Sequence, residues 1–243
     1  EGVDISTEEF YEKLKKSETF PSTSQPAIGE LIKFYENLGK QGYDAVISIH
    51  LASTISGFYQ TLKNVATEIK ETKVYPFDSQ ITVMLMGNLV LRAARMAEAG
   101  ANVEEILTEL ENLRETMNEC FIVDDLQNLV RGGRLSNASA LIGSVLKIKP
   151  LLTFDNDSHK IVAFDKVRSM KKALKRAEKI FEEDKEKADY PLRLIVIHAN
   201  DLKAAESWRK ELSQKYPDCQ IDLSYFGPVI GTHLGEKAIA LAW

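Results

Sequence analysis

The sequence has little of what marks the common chemistries. It carries only two cysteines, Cys120 and Cys219, set far apart. That excludes a disulfide framework and a cysteine-based zinc site, and both are read as reduced thiols of a cytoplasmic protein. There is no GxGxxG and no GxxxxGK[ST], so dinucleotide and P-loop binding are unsupported. There is no GxSxG elbow to expose a serine nucleophile. The paired acids Asp124–Asp125 and Asp155–Asp157 have no histidine at ligand spacing, so no metal is expected. The net charge is −5, without the basic excess of a general nucleic-acid binder. The most apolar run, "ITVMLMGNLVL" at 81–91, is too short to span a bilayer, and "EGVDISTEEFYEKLKKS" has no apolar stretch of signal type. No stable membrane insertion is expected.

What is present reads as an α/β protein. A chain of 243 residues, 44% hydrophobic and 28% charged, suits two modest domains. Ser6 with Glu9, and Asn102 with Glu105, have the spacing of capping boxes at two helix starts. Thr23 or Ser24 is a natural N-cap for the helix after Pro26. "YDAVISIH" and "KVYPFDS" read as strands, each followed by a helix, which implies a parallel sheet flanked by helices. Beyond about residue 118 the pattern changes. "CFIV" is a strand, and a short helix follows that Gly132 and Gly133 end. "ASALIGSVLKIK" (138–149) is an apolar helix, and "LLTFDNDSHKIVAFDKVR" is a hairpin. Ser169 caps a basic helix whose lysines are read as a solvated face, and Asn200 caps a later one. "GPVIGTHLG" is a glycine-punctuated loop before a closing strand. The expected division is 1–118, an α/β domain with a parallel sheet, and 119–243, a mixed α/β domain.

The stretch most in need of a reason is "SIHLASTISGFYQ" (48–60), where a strand hands over to a helix through Ser53, Thr54, Ser56 and Gly57. Open α/β sheets bind ligands at the carboxyl ends of their strands, beside helix N-termini. Hydroxyls add neutral donors there, and glycine lets a ligand approach the backbone. "PSTSQP" supplies a second hydroxyl cluster, with Thr23 and Ser24. Two such ends would make an anion site without a lysine or a metal. The competing reading is that these hydroxyls only cap helices. Among four histidines, His50 ends a strand just before the hydroxyl loop and has a supporting place. His159 sits in the hairpin turn, His198 ends a buried strand, and His233 lies between glycines in "GTHLG". Arg131 and Arg134 flank the glycine pair.

Taken together, "STSQP", "ISIHLASTISGFYQ", "VYPFDS", "LVRGGRLS", "LKIKPLL", "VRS" and "GPVIGTHLG" resemble the DegV family in order and spacing. That family includes the fatty-acid-binding subunits of bacterial fatty acid kinase. The resemblance implies two α/β domains with a long-chain fatty acid buried between and within them. It implies no cofactor, and no catalysis by this chain: a separate kinase catalytic subunit would phosphorylate the presented carboxyl group. Carried over, the carboxylate-binding residues are Thr23, with Ser24 as a neighbour, together with Ser56, His233 and Arg134. Ser53, Gly57 and His50 support them. The alternative is an acyl hydrolase or transferase using Ser56 and His233. The family usually opens with a strand ending in Thr-Asp-Ser, so the resemblance implies a segment upstream of residue 1. Phe58 replaces the usual Thr of SGTY, and Glu236 and Lys237 replace the Pro-Gly of HxGPGAxxL, which is expected to alter that loop.

Overall fold

A computed structural model describes residues 1–136 and 148–243. The helix expected over 138–149 falls largely outside the described residues. The chain forms two compact units: residues 24–117, and residues 1–23 with 118–243.

The unit of residues 24–117 is built on two parallel strands, β1 (Ala45–His50) and β2 (Lys73–Asp78). Alternation along β1 sends its side chains to two faces. Val46 joins a cluster with Leu31, Tyr35, Leu62, Ile69 and Val74, beneath α2 (Ile28–Lys40) and α3 (Phe58–Val65). Ile47 and Ile49 join Phe77, Leu89, Ile106 and Leu110, beneath α4 (Val83–Glu98) and α5 (Val103–Glu115). The capping box of Asn102 and Glu105 opens α5 as its spacing requires. Neither Thr23 nor Ser24 caps α2, which begins at Ile28 behind Ala27.

The other unit holds a six-stranded sheet in the order β5-β4-β3-β8-β6-β7. Its strands are β3 (Glu119–Ile122), β4 (Lys149–Phe154), β5 (Ile161–Val167), β6 (Arg193–His198), β7 (Gln220–Tyr225) and β8 (Ile239–Ala242). Only β6 and β7 pair in parallel, so the sheet is mixed. Phe181, Ala173 and Ala177 of α7 (Met170–Lys185) and Trp208 and Leu212 of α8 (Leu202–Lys215) pack on Cys120, Ile122, Leu151 and Val196. Asp201, not Asn200, caps α8 by accepting from the Ala204 N–H.

Two further sequence expectations are corrected in this unit. Residues 1–23 pack with 118–243 rather than with the first domain. The reason is Tyr11 of α1 (Thr7–Lys16), fully buried, whose hydroxyl donates to the Phe226 carbonyl at 2.8 Å. "GPVIGTHLG" is also not a loop. It contains α9 (Pro228–Leu234), with Pro228 in the first turn where a missing N–H is harmless. The glycines had suggested a loop, but Gly231 is needed for packing: a β-carbon there would meet the Tyr11 hydroxyl oxygen.

Glu119 at the start of β3 accepts from the Phe154 N–H (2.8 Å) and the Thr153 hydroxyl (2.9 Å). Burial outweighs these donors and raises its pKa from 4.5 to about 7. A raised folded-state pKa favours folding below the unfolded value, and that advantage is lost as pH rises through about 7. Replacing Glu119 with Gln keeps an oxygen acceptor and removes the titration. The residue is only half-buried, so water screens part of the cost. We expect Glu119→Gln to gain about 1–2 kcal/mol over wild type between pH 5 and pH 8. Thermal melts at both pH values check this, and an equal difference at both would contradict it.

Candidate functional site

The sequence-predicted residues divide between the two units. In the unit of residues 24–117 the hydroxyl loop lies at the carboxyl ends of β1 and β2. The Asp78 carboxylate, ending β2, accepts from the Ser53 N–H (3.1 Å) and the Gln80 N–H (3.0 Å), and the Ala52 N–H donates to the Ile81 carbonyl (2.9 Å). These bonds pin the loop against both strands. Ser56 is half-buried, and its Oγ accepts from the Phe58 N–H at 3.3 Å. That bond uses a lone pair and leaves the hydroxyl proton to donate elsewhere. Ser53 is exposed and contributes its backbone, not its hydroxyl, to the loop.

The "TSQP" stretch reaches the same loop. Gln25 accepts from the Thr61 hydroxyl at 2.9 Å, and a β-carbon at Gly57 would stand 2.9 Å from Gln25 Nε2. Glycine at 57, with an ordinary φ of −70°, gives the Gln25 amide this close approach, though a flexible side-chain end could shift to admit a methyl. Ser24, beside Gln25, is exposed.

His50 is buried, and its Nε2 is 2.8 Å from Ser48 Oγ, which is bonded to the Tyr35 hydroxyl. Phe58, in place of the resembled Thr, meets the His50 ring edge-on at 4.8 Å. Burial lowers the His50 pKa, with Asp78 acting in the opposite direction, and Tyr35 is raised by burial. A neutral ring fits this setting. The chain Tyr35–Ser48–His50 escaped the sequence reading, because nothing in spacing marks a hydroxyl on β1 as facing α2 until the pleat direction is known.

In the other unit, His233 of α9 meets Thr23 and the glycine pair. His233 Nε2 is 2.9 Å from Thr23 Oγ1. Its Nδ1 is buried and has no hydrogen-bond partner among the described residues. Burial lowers the His233 pKa, and the positive charge of Arg134 lowers it further. Both effects favour the neutral ring. An orphaned N–H costs more than an orphaned lone pair. The proton therefore belongs on Nε2, which donates to Thr23 and leaves the Thr23 hydroxyl proton for another acceptor. Arg134 is half-buried, and its Nη1 donates to the Gly132 carbonyl. That bond lies at the end of α6 (Gln127–Arg131), where Gly133 turns the chain with φ of +70°.

The substituted loop after α9 keeps a glycine-like backbone. Lys237, where the resembled pattern has Gly, holds φ of +64°. Its N–H donates to the Ala199 carbonyl at 2.7 Å. Glu236 accepts from Asn200 at 3.0 Å and pairs with Lys15 at 3.3 Å. Among the described residues no His, Cys, Asp and Glu cluster could hold a metal, and no helix is long and apolar enough to cross a membrane.

Each unit thus carries its own hydroxyl group of interest, the Ser56 loop in one and the Thr23–His233 pair in the other. The chain belongs to the DegV family. The family model for an uncharacterised protein of the DegV family matches residues 1–243. The chain is 49% identical to a DegV domain-containing protein of Listeria innocua over 248 residues, covering all of this chain and 85% of the relative. The crystal structure of DegV from Bacillus subtilis, a fatty acid binding protein, is 48% identical with a TM-score of 0.89. The match covers 99% of this chain and 84% of that one. A fatty acid binding DegV family protein from Streptococcus agalactiae is 37% identical with a TM-score of 0.91, over all of this chain and 84% of the other.

Proposed function

We propose that this protein binds a long-chain fatty acid and presents its carboxyl group to a separate kinase subunit, in the cytoplasm of a bacterium. The observation that carries the reading is the 2.9 Å contact between Thr23 Oγ1 and His233 Nε2, with burial disfavouring charge on the ring. The structures of similar DegV proteins described as fatty acid binding support it. The proposed carboxylate donors are Thr23 and Ser56, with His233 orienting, Ser24 a neighbour and Arg134 at the rim.

The energetics suit a lipid. Burying about fifteen methylenes contributes on the order of 12 kcal/mol gross, at about 0.8 each. A bare carboxylate would cancel much of that, so donors are required. Neutral hydroxyls hold it reversibly, whereas a direct arginine clamp would resist release.

The acyl hydrolase alternative requires an acid to orient His233, and Nδ1 has no such partner among the described residues. Incubation with an activated acyl ester, followed by denaturing mass spectrometry, separates the two readings. Binding predicts an unmodified chain. An acyl adduct on Ser56 would replace this reading with the enzyme.

A further inference from the structure

We propose that Gly132 is a positioning residue for the lipid carboxylate, its bare α-carbon forming the seat against which the Nδ1 edge of His233 rests, bonded to Thr23. The fatty-acid reading underlies only the ligand-binding part of this inference. An ideal β-carbon on Gly132 would stand 2.6 Å from His233 Nδ1, 3.4 Å from its Cε1 and 3.0 Å from the Asn128 carbonyl oxygen. The backbone does not require glycine: Gly132 has φ of −71° and ψ of −12°, which any residue adopts. The adjacent Gly133, at φ of +70°, is the one the turn needs. The two glycines of "RGGR" therefore have different reasons to be there.

The Asn128 carbonyl belongs to the α6 backbone and bonds the Gly132 N–H at 2.9 Å, so it cannot easily yield. The imidazole can yield, by rotating about its side-chain torsions. It is the group an added methyl would displace, and its displacement breaks the Nε2–Thr23 bond. The Thr23 hydroxyl then loses the partner that directs its proton outward. The orphaned Nδ1 follows from the same packing, because the ring edge that meets a Cα–H wall finds no donor or acceptor there.

The test is Gly132→Ala in the full chain, read in two ways. Ring ¹⁵N resonances of His233 should move away from the single Nε2–H tautomer of wild type, with or without lipid. Affinity for palmitate should fall on the order of tenfold, the size of one lost hydrogen bond to a charged group. In a His233→Ala background the same substitution should cost less than about twofold, since the collision partner is gone. Equal losses in both backgrounds, or unmoved ring resonances, would overturn the proposal. Where Gly132→Ala alone fails to fold, the pair Gly132→Ala/His233→Ala should fold, and its failure would assign the clash to Asn128 instead. If wild type binds no palmitate, the fatty-acid reading fails, while the ring resonances still decide the role of Gly132.

Discussion

Arg134→Ala is expected to leave palmitate retention within about threefold of wild type while reducing kinase-dependent phosphorylation of the bound lipid by about a hundredfold. The guanidinium already donates to the Gly132 carbonyl, a bond that holds it beside the His233 ring. On the proposed reading the carboxylate takes neutral donors from Thr23 and Ser56, so removing the arginine would not strip it of partners. During phosphoryl transfer, by contrast, negative charge builds on equatorial oxygens that suit a planar fork of N–H groups. Losing one such donor costs about a hundredfold or more in rate. Parallel binding and single-turnover phosphorylation assays separate the two effects. Outright loss of the lipid in the binding assay would move Arg134 onto the carboxylate.

Ser56→Ala should weaken palmitate retention by about 5- to 150-fold, the range for leaving a buried acceptor short of one donor. Among the described residues its hydroxyl oxygen accepts from the Phe58 N–H alone, at a long 3.3 Å, so the loop should survive the change. The loop's anchors are backbone bonds to Asp78 and Ile81, which alanine does not disturb. A calorimetric titration with a matched thermal melt is the check. Unchanged affinity in a folded variant would leave Ser56 with a capping role alone.

Much of the fold was legible because local signals agreed with it. The spacing of Ser6 with Glu9 and of Asn102 with Glu105 marked two helix starts, and both capping boxes form. The alternation around Asp155–His159 marked the β4–β5 hairpin. The failures occurred where a long-range contact decides. No local pattern says that Tyr11 will bond the Phe226 carbonyl, 215 residues away, so α1 was placed with the wrong domain. Glycine in "GPVIGTHLG" was read as a backbone signal, whereas Gly231 is there to clear the Tyr11 hydroxyl.

The candidate site shows the same split. The hydroxyl loop was visible as a chemical oddity at a strand end, and its place beside β1 and β2 follows from the general rule for open α/β sheets. The resemblance set Thr23 and His233 at one carboxylate, but their direct hydrogen bond was not legible, since they lie 210 positions apart. Two contacts elsewhere, of Gly132 with His233 and of Ser48 with His50, escaped notice for a simpler reason. Gly132 and Ser48 are ordinary in composition and matter only through what they touch.

The most direct test of the central claim is mass spectrometry of the protein purified from a bacterial host, first under native and then under denaturing conditions. The account predicts a native mass above that of the 243-residue chain by one long-chain fatty acid, lost completely on denaturation. A native mass equal to the bare chain, with no uptake of added palmitate, would contradict it.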